Sequence, residues 1–194
     1  RCGTTNVKMT SVTVGLKLAL ESLGQQNQLP HLVCTNCYNE LTSSVSQGMR
    51  LKLEQEARDK NKLILWKSRT SLIKQARVLM SHRAYAEAAI FYEKYLRVLE
   101  IVHNLEKGEL SPQVFNNSNR SKELTIVAST YWDLMRIYDT SPRFLDRMVL
   151  AARKLSQFLP LSPIYSDVIK RADAFVKTAR NPQVVHEFLK SSKI

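Results

Sequence analysis

Apolar residues recur every three or four positions along most of the chain, which predicts a succession of amphipathic helices. A first helix is expected to start at Thr10 or Ser11 as its N-cap residue and to end at Gly24. Its apolar face is predicted to comprise Val12, Leu16, Ala19, Leu20 and Leu23. Residues 1–9 before it are expected to form a loop or a short hairpin.

A long helical segment is predicted to start near Cys37 and to continue through the charged, solvated run 54–62. No Gly or Pro interrupts the pattern between Gly48 and Met80. The sequence alone leaves open whether one helix covers this whole stretch.

The strongest internal pattern covers residues 69–104 and predicts two antiparallel helices joined near residues 81–85. Its expected inward positions are Leu72, Ala76, Leu79, Ala88, Tyr92 and Leu96. The small side chains of Ala76 and Ala88 would let the two backbones approach closely, with Tyr85 and Tyr92 filling the neighbouring gaps.

After this pair of helices, Gly, Pro and Asn residues predict a loop over 106–122 that is longer than the usual helix connection. Further helices are expected at about 123–139, 143–159 and 164–180. Asn181 and Pro182 form a favourable start for a last helix that ends near Lys190.

These patterns predict an all-α protein with three parts. They are a small Cys-containing N-terminal module at 1–50, a helical connector at 51–68 and a domain of antiparallel helical hairpins at 69–194, with the inserted loop at 106–122.

Composition adds a strongly basic character. In 194 residues, 44% are hydrophobic and 24% charged, and the net charge is +12. That charge is consistent with solvated helix faces or with an anionic partner such as nucleic acid, a membrane surface or an acidic protein. No apolar run approaches the roughly 20 residues that span a bilayer, and no signal peptide is visible, so a cytoplasmic location is expected.

Cys34 and Cys37 are separated by two residues, a spacing that lets two thiolates bind one zinc ion. Arg1-Cys2-Gly3 is typical of the end of a second such knuckle, whose first Cys is expected upstream of residue 1. Cys2, Cys34 and Cys37 are therefore predicted as ligands of a structural zinc, with His31 as an alternative fourth ligand.

Three other interpretations of the cysteines stay open. A pair at a helix N-terminus can serve redox chemistry, and buried thiols can simply pack. The run Cys-Gly-Thr-Thr-Asn from Cys2 is also similar to the start of a mature lipoprotein, which would place the chain at a membrane surface. Haem attachment is excluded, because Tyr38 rather than His follows Cys37.

Residues 71–100 resemble a tetratricopeptide repeat, a pair of antiparallel helices of about 34 residues. The second-helix half, 85–92, matches well, whereas Tyr95 stands where Ala is usual and Glu100 where Pro is common. A weaker unit covers 129–160, where Arg136 and Met148 stand in place of small residues. The resemblance implies a groove that binds a peptide or a helix of another protein. Its candidate binding residues are Lys74, Arg77 and Lys94.

Separately, LPHLVCTNCYNEL (29–41) resembles the latter half of the zinc-finger-associated domain, which implies a geometry for the cysteines rather than a function.

No motif of nucleophilic, acid–base or phosphate-loop catalysis is present, so a non-enzymatic protein is expected. The favoured hypothesis is an adaptor or scaffold that binds another protein or peptide and carries a structural zinc module. The alternative is a nucleic-acid-binding protein that uses the zinc module and a basic stretch. That stretch comprises Lys60, Lys62, Lys67, Arg69, Lys74 and Arg77. The sequence does not fix the oligomeric state.

Overall fold

The computed structural model describes residues 8–24, 32–115 and 119–192. The chain divides into two compact units, residues 1–61 and 62–194. Helices dominate the described residues, which confirms the predicted all-α class. The boundary between the units lies within one long helix, α2 (Thr35–Ser81), in the charged stretch.

The first unit contains two short strands that the sequence pattern did not predict as a pair. Strand β1 (Met9–Ser11) pairs antiparallel with β2 (Leu32–Cys34), and Thr10 lies opposite Val33. Between them lies helix α1 (Val14–Ser22), which begins later than predicted because Thr10 and Ser11 belong to the strand.

Helix α1 starts with a side-chain cap. The hydroxyl of Thr13 accepts a hydrogen bond from the Leu16 amide at 3.3 Å, which satisfies one of the amides that have no partner in the first turn of a helix. A small core then forms from Val12, Leu16, Leu20, Val33 and Val45, in contact with the partly buried Cys37. A Cβ atom at Gly48 would lie 2.7 Å from a methyl group of Leu23, so glycine permits this close approach.

In the second unit, α2 is followed by α3 (Tyr85–Val102) after a three-residue turn. Arg83 adopts the left-handed conformation (φ 59°), and the Ala84 amide donates to the Leu79 carbonyl at 2.9 Å. This is the Schellman arrangement that satisfies the last carbonyls of a helix. Beyond the turn the chain runs back along α2. The ammonium of Lys62 in α2 donates a hydrogen bond to the side-chain oxygen of Asn104, just after α3, at 2.5 Å.

Four further helices complete the described part of this unit: α4 (Arg120–Tyr138), α5 (Leu145–Phe158), α6 (Tyr165–Phe175) and α7 (Pro182–Ser192). Short 3-10 turns at Pro112–Val114, Pro142–Phe144 and Leu159–Leu161 precede α4, α5 and α6, each with Pro at its first or second position. The predicted loop therefore ends earlier than expected, since α4 already begins at Arg120.

One apolar core fills this unit. Ala76 and Ala88 are fully buried in it, as are Leu99, Met135 and Leu155. The prediction of buried small residues at both hairpin positions is confirmed. The prediction for Tyr85 is wrong, because its side chain remains 38% exposed at the first position of α3, beside the turn.

Candidate functional site

A groove of about 690 Å³ opens in the second unit between α3, α4 and α5. Its floor is apolar and includes the buried side chains of Tyr131 and Leu134 from α4. Its two walls come from α3 and α5, whose exposed apolar residues Ile90 and Leu150 stand on opposite sides. The volume falls in the range of about 300–1,000 Å³ that is usual for ligand sites in proteins.

One part of the groove lining is a polar network around Glu93 of α3. Its carboxylate oxygen Oε1 accepts a hydrogen bond from the Tyr138 hydroxyl at 2.5 Å and pairs with the Arg147 guanidinium at 3.2 Å. Burial and the neighbouring carboxylate raise the pKa of Tyr138 well above its usual value, so this hydroxyl keeps its proton and acts as a donor. The network ties α3 to both α4 and α5.

A second polar network lies about 10 Å further along α3, seven residues on at the rise of an α-helix. There Glu100, only 5% exposed, accepts a hydrogen bond from the Gly108 amide at 2.6 Å and pairs with Arg97 at 3.1 Å. Gly108 has a φ of +89°, which explains why glycine suits this position. The loop after α3 is thereby fixed against the groove.

Lys154 of α5 fixes the same loop from the opposite wall. Its ammonium donates to the Leu110 carbonyl at 2.9 Å. Burial lowers the pKa of Lys154, whereas the nearby Glu100 and Glu109 raise it by a smaller amount. Both acidic residues that line the groove, and three of its five cationic ones, are therefore held by neighbouring protein groups.

The two remaining cationic residues of the lining are Lys94 and Lys107. Neither forms an ion pair with a carboxylate among the described residues. Lys94 instead lies over the ring of Phe91, 5.4 Å from its centre. The groove thus presents an apolar floor together with positive charge that is not neutralised locally.

A second polar cluster lies inside the same unit, away from the groove lining. The Arg69 guanidinium stacks on Trp66 at 3.5 Å from the ring centre and pairs with the buried Glu123 at 3.2 Å. His103 packs edge-on against Trp66 and against Phe115. Burial lowers the pKa of His103, which favours its neutral form.

The described cysteines lie at the junction of strand and helix in the first unit. Cys34 is buried at the end of β2, and Cys37 is half-buried in the first turn of α2. The Cys37 amide donates to the Cys34 sulfur at 3.4 Å. The predicted ligand Cys2 and the alternative ligand His31 lie outside the described residues. Within residues 8–24, 32–115 and 119–192, no group of three or more metal-binding side chains comes together.

Of the three predicted partner-binding residues, Lys94 lines the groove. Lys74 and Arg77 are exposed on α2 and lie outside the lining. Two members of the basic stretch proposed for nucleic acid already contact other side chains of this chain. Arg69 contacts Trp66 and Glu123. Lys62 contacts Asn104.

The sequence alone does not predict which residues from different helices meet in the groove. Glu93 and Glu100 stand seven residues apart on one helix, which places them on the same face, and that spacing was the available signal. Their partners Tyr138, Arg147 and Gly108 come from other elements, so only the folded chain brings them together.

Comparison of the chain with protein-family models, with curated proteins and with solved structures yields no match. Among the helices that the structure describes, none combines the length and the apolar run that crossing a bilayer requires.

Proposed function

We propose that this chain is a non-enzymatic interaction module that binds a segment of another protein in the groove between α3 and α5. The observation that carries the proposal is a groove with an apolar floor, exposed apolar residues on both walls and hydrogen bonds that join its lining elements. Exposed apolar side chains beside a concave surface are typical of protein-binding sites. The tetratricopeptide resemblance of 71–100 supports the same class of function.

The resemblance and the groove point to different helices. The residues Lys74 and Arg77 belong to the first helix of the hairpin, whereas the groove takes its wall from the second helix, α3. We therefore propose that the partner binds in the groove. Of the three predicted binding residues, only Lys94 lines it.

A matched pair of variants tests this proposal. Leu150 and Leu161 are similarly exposed, at 55% and 50%, but only Leu150 lines the groove. A random dodecapeptide library is panned against the full chain, and the enriched peptides are measured against Leu150→Arg and Leu161→Arg. We expect loss of binding only with Leu150→Arg, while circular dichroism shows that both variants fold. Enriched peptides that bind both variants equally, or no enrichment at all, would reject the groove as the binding site.

For the first unit we propose a structural zinc site with Cys2, Cys34 and Cys37 as ligands. The paired cysteines stand where a strand turns into a helix, and the Cys37 amide points at the Cys34 sulfur. In metal–thiolate sites, backbone amides commonly donate hydrogen bonds to the cysteine sulfurs that bind the metal. The Lys8 carbonyl accepts two hydrogen bonds from Thr35, so the chain that leads back to Cys2 departs from beside the pair.

Chain length permits Cys2 to reach this pair. Cys2 precedes Lys8 by six positions, and an extended chain covers at most about 20 Å over that length. Zinc requires a fourth ligand, and His31 is the candidate within this sequence.

Elemental analysis of the purified chain, combined with thiol titration, tests the zinc site. We expect about one zinc per chain, with thiols protected until a chelator is added. Cys34→Ser should lose the metal, whereas Asn36→Ser, an exposed position between the cysteines, should retain it. A metal-free protein whose thiols react at once would rule out the site.

A further inference from the structure

The charge of the groove indicates what kind of segment it accepts. We infer, on the basis of the function proposed above, that the groove selects an acidic peptide segment in which an apolar side chain is flanked by Asp or Glu. Five cationic side chains and two carboxylates line the groove, so its field favours negative charge.

The carboxylates of the lining already have partners within the protein, whereas two of its cations do not pair with a carboxylate that the structure describes. Glu93 is bonded to Tyr138 and Arg147, and Glu100 is bonded to Arg97 and the Gly108 amide. These carboxylates are thus already paired and have little remaining attraction for a basic ligand. The cations Lys94 and Lys107 form no ion pair among the described residues, so incoming carboxylates can pair with them.

The apolar surfaces define the other half of the ligand. Ile90 and Leu150 are 49% and 55% exposed on opposite walls, above the buried Leu134 and Ala151. An apolar side chain of the ligand that enters between these walls removes apolar area from water on both sides.

The same features disfavour single-stranded nucleic acid. Arg97 and Arg147, the groups best suited to phosphate, are paired with carboxylates. The rings of Tyr131 and Tyr138 are buried at 6% and 5% exposure, so they offer no face on which a base could stack. An apolar residue between carboxylates fits this surface better than a phosphate backbone.

The peptides enriched in the panning experiment test this inference through their composition. We expect Asp or Glu on either side of Leu, Ile or Phe, and binding that weakens about tenfold in the double variant Lys94→Glu/Lys107→Glu at low salt. Lys170→Glu, a charge reversal on the exposed face of α6 and outside the groove, should change binding little. High salt should reduce the difference between the double variant and the unaltered chain.

The outcomes separate the two proposals. Peptides that require Leu150 but carry no acidic residues, or that bind the double variant unchanged, would overturn this inference and leave the proposed function standing. Absence of groove-dependent peptides would overturn both. A fluorescein-labelled uridine 12-mer serves as the competing probe, and groove-dependent binding of it as tight as that of the acidic peptides would also overturn the inference.

Discussion

Asp139 and Asn181 are joined by two hydrogen bonds although 42 positions separate them in the chain. The Asp139 oxygen Oδ1 accepts from the backbone amide of Asn181 at 2.9 Å and from its side-chain nitrogen at 3.0 Å. The other carboxylate oxygen accepts from the Arg180 amide at 2.8 Å. One buried carboxylate at the end of α4 therefore holds the residues that lead into α7.

Replacing Asp139 should destabilise this unit strongly. Asp139→Ala leaves two backbone amides without their acceptors, and we expect a loss of about 2–4 kcal/mol in the free energy of unfolding. Urea denaturation followed by circular dichroism measures the loss. Asp173→Ala, on the exposed surface of α6, is the control and should change stability by less than about 0.5 kcal/mol. A loss no larger than that of the control would show that water replaces the carboxylate.

Overpacking at Ala88 tests how tightly the buried face of α3 is packed. Ala88 has no exposed surface, and we expect Ala88→Leu to cost about 1–3 kcal/mol because neighbouring side chains must move. Ala86→Leu places the same side chain on the exposed face of the same helix and should be nearly neutral. Thermal unfolding of the two variants gives the comparison, and equal melting temperatures would contradict tight packing around Ala88.

The partly buried hydrogen bond between Tyr92 and Asp133 joins α3 to α4 at 2.7 Å. Asp133→Ala removes the acceptor of a hydroxyl whose residue is 1% exposed, and we expect a cost of about 1–3 kcal/mol. Because burial raises the pKa of Asp133, the neutral amide in Asp133→Asn should be tolerated better. Asp167→Ala, in an exposed pair with Arg171, is the control. A loss in Asp133→Ala no larger than that in Asp167→Ala would mean that the acceptor is unimportant.

His103 should make stability depend on pH. Burial lowers its pKa below the value of about 6.5 in the unfolded chain, so the unfolded state binds more protons over the interval between the two values. The contribution of neutral His103 to the free energy of unfolding is therefore complete above about pH 6.5 and is lost as the pH falls through the pKa of the folded state. We expect His103→Phe to unfold with a smaller change in stability between pH 7.5 and pH 5 than the unaltered chain, as measured by urea denaturation.

His103→Gln provides the second variant for this test. Neither Phe nor Gln takes up a proton, so both variants should show the same reduction in pH dependence, whatever each costs in packing. A reduction confined to one of them would assign the effect to packing against Trp66 and Phe115 rather than to titration.

The sequence predicted the features that local chemistry decides. Asn181 and Pro182 mark the start of α7, and small residues at Ala76 and Ala88 mark the buried face of the hairpin. Helical periodicity gives these features directly, because each depends on residues within a few positions of one another.

The sequence did not predict the features that depend on distant pairing. Strand β2 is too short to show alternation, and it exists because Val33 pairs with Thr10, 23 positions earlier. The site likewise depends on contacts that local patterns do not contain, such as Lys154 with the Leu110 carbonyl. Lys94 was a candidate from resemblance alone, whereas its place beside a groove follows from how α3 and α5 flank α4.

The loop after α3 is bonded from both walls of the groove, by Glu100 to the Gly108 amide and by Lys154 to the Leu110 carbonyl. Its conformational entropy is therefore given up when the chain folds, before any ligand arrives. A ligand that enters the groove does not have to order this segment, so more of its contact energy is available as affinity. The rigidity of one loop thus favours rapid docking onto a preformed surface over folding coupled to binding.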